Sequence, residues 1–349
     1  MPYFSDNRWS AFQYKYDEVM QRPEFKRKPS TALMLFLKST DILIPVSEKE
    51  RILGVKQSDQ DTVEVNYIKK TSHTTGSARA AAHTESTGDG GKATVSFTTY
   101  AADFTYTKKT ADRTIWEEAE LKAKEIISCA IALHSSIETA FLAVLSTYKN
   151  QSVISSSPRG GTWDSNNHLF QIANADMDLW MQKVKGFMRQ QYYQGIFDCI
   201  VDEVLFQKAE YLIQQGQGNQ TNLGWQAKNL DIGVTEEISI DDNYDGQGYI
   251  IPTGTIGVID WVPKMNRMNV GDPGKVGGFY TTLPDPFGSG LNFAYHEYYT
   301  AADNDSVGGE TQDVNVNGEL SIDLAPIVAP MSTSNAYPIN KFGVKSDTE

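Results

Sequence analysis

Thr114 to Gln151 reads TIWEEAELKAKEIISCAIALHSSIETAFLAVLSTYKNQ, without a proline or a glycine. Apolar residues recur at positions 116, 119, 123, 126, 130, 133, 137, 140, 144 and 148, always three or four apart. That spacing lays them along one face of an α-helix. Thr114 and Glu117 fit a capping box, in which hydroxyl and carboxylate take the free backbone N–H groups of the first turn. Glu117, Glu118 and Glu120 near the start and Lys149 near the end suit the helix dipole. At about 1.5 Å per residue the helix runs roughly 50 Å, far beyond the usual length. One long helix with one apolar stripe is a spine for a sheet or for other helices. A coiled coil would need charge pairs flanking the stripe, and these do not persist.

Upstream, residues 61–109 read as a long two-stranded arm. Thr62 to Lys69 alternates, with Val63, Val65 and Tyr67 on one face. Ala93 to Lys108 is a second β-rich run carrying Val95, Phe97, Tyr100, Phe104 and Tyr106. Between them, Thr71 to Lys92 holds almost no large apolar residue and ends in Gly88-Asp89-Gly90-Gly91. Such a hairpin is not stable alone in water; it lies against a partner surface, or it is a surface loop. Before it, Tyr3, Phe4, Trp9, Phe12, Tyr14, Tyr16 and Phe25 are scattered without a helix or strand period. An aperiodic aromatic segment closes no core of its own, so it packs on the rest of the chain or on another subunit.

Downstream, Ser155 to Asn167 reads as a linker. Asp176 to Gln191 carries a helical stripe of Met177, Trp180, Met181, Val184, Phe187 and Met188. Ile196 to Val201 reads as a buried strand. Asp202 is placed to cap a second helix that stops at Gly216. From Ile232 the β-type runs are Ile232 to Ile240, Gly248 to Trp261, Leu291 to Thr300 and Val314 to Ile327. Met331 to Glu349 reads as a polar surface tail.

The 349 residues suffice for about two domains. A net charge of −13 argues against a general nucleic-acid binder and against docking on an anionic membrane. With 40% hydrophobic residues the chain is too apolar to be disordered. Cys129 and Cys199 exclude a disulfide framework and suit a reducing compartment. The opening MPYFSD lacks the basic-then-apolar order of a signal peptide. Near the start the longest apolar stretch is Ala32 to Leu37, which predicts a protein without a membrane span, made and used in a cytoplasm.

Motifs of catalysis are missing: there is no H-E-x-x-H, C-x-x-C, G-x-S-x-G or P-loop. No catalytic residue and no cofactor are assigned. Gly216-Gln217-Gly218 begins like a dinucleotide fingerprint but follows a helix, and position 221 is Thr. Asp241, Asn243 and Asp245 with Gly246 imitate the opening of a calcium loop. The twelfth position is Pro252, so a turn competes with a weak cation site. His73, His83, His134, His168 and His296 are dispersed, and His134 reads as a packed or capped histidine on the long helix. Arg22, Lys26, Arg27 and Lys28 are expected to meet an acidic surface.

The order of parts resembles the major capsid protein of tailed bacteriophages, the Hong-Kong-97-like α+β shell fold shared with encapsulins and the herpesvirus capsid floor. Gly254-Thr255-Ile256-Gly257-Val258-Ile259-Asp260-Trp261 and Asp285-Pro286-Phe287 before Leu291-Asn292-Phe293-Ala294-Tyr295 are similar in wording to that family. The resemblance implies an N-terminal arm over 1–58 and an extended β-hairpin loop over 59–112. A peripheral domain with the spine helix would cover 113–162 and an axial domain 163–290. Late strands and a C-terminal tail would occupy 291–349. It implies a non-enzymatic subunit that assembles with itself, as pentamers and hexamers, into an icosahedral shell around double-stranded DNA. Further implied partners are a portal protein, separate scaffolding or decoration proteins, and packaged DNA by weak non-specific contact. The implied place is the virion, assembled in the bacterial host cytoplasm. The alternatives are an encapsulin-like shell around enzyme cargo and a hydrolase or carbohydrate-binding protein with long loops.

Overall fold

The computed structural model describes residues 6–57, 62–68, 90–107, 115–153, 158–215, 229–238, 243–262, 276–301, 314–329 and 337–346. In chain order the helices are α1 (Asp6–Met20), α2 (Thr31–Leu43), α3 (Val46–Gln57), α4 (Ile115–Thr147), α5 (Trp180–Gln190) and α6 (Glu203–Gln215). The strands are β1 (Thr62–Ile68), β2 (Gly90–Ser96), β3 (Thr98–Thr107), β4 (Thr162–Asp164), β5 (Leu169–Ile172), β6 (Phe197–Val201) and β7 (Leu230–Val234). They continue as β8 (Tyr244–Pro252), β9 (Ile256–Trp261), β10 (Val276–Pro284), β11 (Asn292–Ala301), β12 (Val314–Val328) and β13 (Asn340–Lys345). The chain forms two compact units: residues 1–30, 97–137 and 260–324, and residues 31–96, 138–259 and 325–349.

The first unit is built on an antiparallel sheet ordered β10-β11-β12-β3. Asn315 to Leu324 of β12 pair with Thr107 to Thr98 of β3. Phe293, Tyr295, Val316, Leu320 and Ile322 are buried from this sheet, and Ala123, Ile126, Ala130 and Leu133 from the helix α4. α1 belongs here too. Its Phe12 is 4% exposed, and its ring stands 5.5 Å from the Lys122 ammonium.

The second unit is built on a six-stranded sheet ordered β4-β5-β13-β8-β6-β7. Its core joins Phe170, Trp180, Phe187, Phe197, Ile250 and Phe342. The Phe170 and Phe187 rings stack at 4.4 Å, and those of Trp180 and Phe342 at 5.6 Å. Asp202 caps α6 as its position predicts, accepting the Leu205 N–H at 3.0 Å. Its other oxygen takes the Gln247 N–H at 2.7 Å, so one carboxylate ties helix to sheet. α2 packs Phe36 edge-on to Phe141, with centroids 4.8 Å apart. Gly254 turns the chain from β8 to β9 at φ +87°, a conformation that side chains disfavour. The ribbon of β1 and β2 also belongs to this unit, in register from Thr62 opposite Ser96 to Ile68 opposite Gly90.

Five expectations need correction. Residues 1–58 carry helices α1, α2 and α3 where no period was expected. α1 buries Ala11, Phe12 and Val19 while Tyr14 stays exposed, so aromatic positions alone hide its inward face. The run from Ala93 to Lys108 is two strands: β2 pairs with β1, and after Phe97 β3 pairs with β12. The polar tail is interrupted by β13, whose Phe342 and Val344 are fully buried between β5 and β8. The linker contains β4 and a turn closed by Asp164, which accepts the Asn166 N–H at 2.9 Å. The stripe of α4 holds through Ile137 and then changes phase, burying Phe141, Leu142 and Leu145 in place of Ala140 and Val144. Thr114, Gly216 and the 71–89 tip lie outside the described residues.

Glu117–Thr147 is long and apolar enough to cross a membrane by length and composition. Its polar residues show what it does instead. Lys122, His134 and Glu138 are all buried on it. Glu138 accepts the Ala32 N–H at 2.8 Å, so the helix is packed in protein.

Candidate functional site

Of the calcium-like motif, the described residues are Asn243, Tyr244, Asp245 and Gly246. Asn243 is a turn residue, and Tyr244, Asp245 and Gly246 are the first residues of β8. Asp245 accepts a hydrogen bond from the Asn174 side chain at 2.6 Å, and the Asn243 carbonyl accepts the Ser346 N–H at 3.0 Å. A Cβ on Gly246 would stand 2.7 Å from the Leu205 side chain, so this glycine serves the approach of α6. Asp241 lies outside the described residues. Among the described residues no group of three or more His, Cys, Asp or Glu could hold a metal ion.

Two polar clusters do form in the first unit, and sequence reasoning found only part of one. Glu297 on β11 is 1% exposed. It pairs with the Lys122 ammonium on α4 and accepts hydroxyl bonds from Tyr295 and, at 2.6 Å, from Tyr299. Burial alone would raise this carboxyl; the Lys122 charge and the two hydroxyls outweigh it and hold the group below its ordinary range. Every oxygen is occupied, so the cluster is a structural tie and not a free acid or base.

His134 is the centre of the second cluster. Its Nδ1 accepts the Ser30 N–H at 3.1 Å. That bond fixes the proton on Nε2, which donates to both Asp285 oxygens at 3.1 Å. Asp285 also accepts the N–H groups of Phe287 and Ser289 at 3.0 and 3.1 Å. Burial would lift its carboxyl, but the bonds from His134 and Ser289 bring it below the usual carboxylate range. Burial pushes the Cys129 thiol up to about 11, away from the thiolate a catalytic cysteine needs. Cys199 is raised for the same reason.

The basic cluster divides. Arg22 reaches Glu120 at 2.9 Å, the acidic contact expected of it. Lys26, Arg27 and Lys28 are exposed.

What remains is surface. β1 and β2 form a two-stranded sheet. α3 lies against β1, and Arg51 donates to the Glu64 carbonyl at 2.9 Å. Val63 and Val95 are buried at this base. Large apolar side chains are exposed elsewhere in the same unit, among them Val46 (73%), Tyr192 (79%) and Ile42 (66%). Scattered exposed apolar residues are normal; a ribbon with two strands is not self-sufficient.

No family model and no curated protein matches the sequence. Solved structures do. One from Mycobacterium phage Adephagia covers 93% of this chain and 92% of its own, at 9% identity and a TM-score of 0.50. This chain shares the α+β fold of that phage structure. A structure from Mycobacterium phage Cain matches 92% of each chain, at 10% identity and a TM-score of 0.48. The capsid of Ralstonia phage GP4 matches 83% of this chain and 85% of its own, at 8% identity and 0.43.

Proposed function

We propose that this chain is the structural subunit of a tailed-phage shell, assembling with copies of itself around double-stranded DNA. The observation that carries the reading is the β1–β2 ribbon, a sheet of only two strands among the described residues, in a chain that shares its fold with phage structures. A neighbouring copy supplies the ribbon with the surface that its own unit lacks. The assembly is by pentamers and hexamers, in the cytoplasm of a bacterial host. The role is non-enzymatic, which agrees with clusters whose donors and acceptors already pair. A portal protein and a separate scaffolding or decoration protein complete the particle. The charge of −13 keeps packed DNA in weak, non-specific contact.

The test is negative-stain microscopy of the purified full chain with light scattering. Closed particles, or rings of five or six, are expected. A stable monomer at micromolar concentration and near-neutral pH overturns the reading. Co-purified enzyme in place of DNA would make it a cargo shell.

A further inference from the structure

A groove of about 300 Å³ runs between α2 and strands β6 and β7. Its apolar lining includes Met34 and Leu35 from the helix and Ile200 and Ile232 from the strands, and it closes on Lys38, Asp198 and Asp231. The Lys38 ammonium bridges Asp198 Oδ1 at 2.6 Å and Asp231 Oδ2 at 2.5 Å. Two carboxylates therefore share one cation, and the polar end keeps one negative charge. Asp198 is 1% exposed, and its Oδ2 has no hydrogen-bond partner among the described residues. A buried carboxylate oxygen without a donor is costly. A second ammonium would meet that cost and neutralise the end.

We propose that this groove binds a primary ammonium on an alkyl stem, of the class of linear aliphatic amines. The stem lies along Met34, Leu35 and Ile232, and the ammonium donates to Asp198 Oδ2 and to Asp231. An anion is repelled by the net charge. A neutral alcohol of the same length lacks the charge-assisted bond, which is the stronger kind. A metal ion would find an ammonium already between the two carboxylates. The inference goes beyond the shell reading and does not depend on it, because the groove lies inside one unit of one chain.

The experiment is calorimetric titration of the full-length protein, in the assembly state in which it purifies, with cadaverine at low salt and near-neutral pH. Pentanol is the control. Saturable one-to-one binding of the amine, and none of the alcohol, is expected. Asp231→Asn, at an exposed position, weakens binding about tenfold, the effect of losing one surface-assisted charge contact. Asp198→Asn abolishes it. Absence of saturable amine binding, equal binding of pentanol, or binding to Asp231→Asn as tight as to the parent protein overturns the proposal. If Asp198→Asn does not fold, the Asp231 variant and the alcohol control decide alone.

Discussion

β2 and β3 are separated in the chain by a single residue, Phe97, yet they are stabilised in opposite ways. β3 joins a sheet of its own chain, pairing with β12 over ten residues from Thr98 to Thr107. Phe104 and Tyr106 are buried there, and the Phe104 ring stacks on Tyr295. β2 pairs with β1 alone, and the Lys92–Glu64 pair on this ribbon is exposed on both sides. An exposed ion pair contributes little, about 0–1 kcal/mol. The contrast teaches that one continuous β-rich run can serve two purposes. One half completes the sheet of the first unit, and the other pairs within the two-stranded ribbon of the second.

The contrast can be tested from its strong end downward. Lys122→Met leaves Glu297 buried without its cation and is expected to cost about 3–5 kcal/mol in urea unfolding. Combining it with Glu297→Met recovers most of the loss; a double variant as weak as the single one would mean that packing, not charge, holds this site. His134→Ala removes the acceptor of Ser30 and the donor to Asp285, and is expected to cost about 2–4 kcal/mol, from two unpaired buried groups. His134→Gln retains part of this, read by the same unfolding curve. Asp202→Ala loses a helix cap and the bond to Gln247, for about 1–2 kcal/mol.

Acid gives a fourth test. Asp285 and Glu297 both sit below their ordinary range in the folded state. Their stabilisation is therefore complete above the unfolded carboxylate value, about 4. It is lost as pH falls through that value and the lower folded ones. Melting scans should show a steep decline below about pH 4 that Glu297→Gln makes shallower. The smallest effect on the subunit is expected at the ribbon. Replacing residues 69–89 with Asn-Gly should shift unfolding by less than about 1 kcal/mol, while particle formation disappears. A loss on the scale of the Lys122 variant would show that the ribbon supports its own unit after all.

The long helix was legible because its stripe runs for many turns without Gly or Pro. α5, β6 and the Asp202 cap were legible for similar local reasons. α1 was not, because its inward residues include Ala11 and Val19, and its aromatics point several ways. β13 was hidden by composition: Lys341, Gly343 and Lys345 mask the alternation of Phe342 and Val344. β10 begins Val276-Gly277-Gly278, a turn-like spelling, and its place is set by pairing with β11. The two polar clusters could not be read at all beyond His134, since Lys122 meets Glu297, and His134 meets Asp285, only through long-range packing. Asp198 and Lys38 are likewise 160 residues apart.

β13 is made after every other strand of its sheet, yet it sits in the interior of that sheet, parallel to β5 and antiparallel to β8. A ribosome-bound chain short of Asn340 holds β4-β5 and β8-β6-β7 without the strand that hydrogen-bonds to both. The second unit can thus mature only once translation has passed this point.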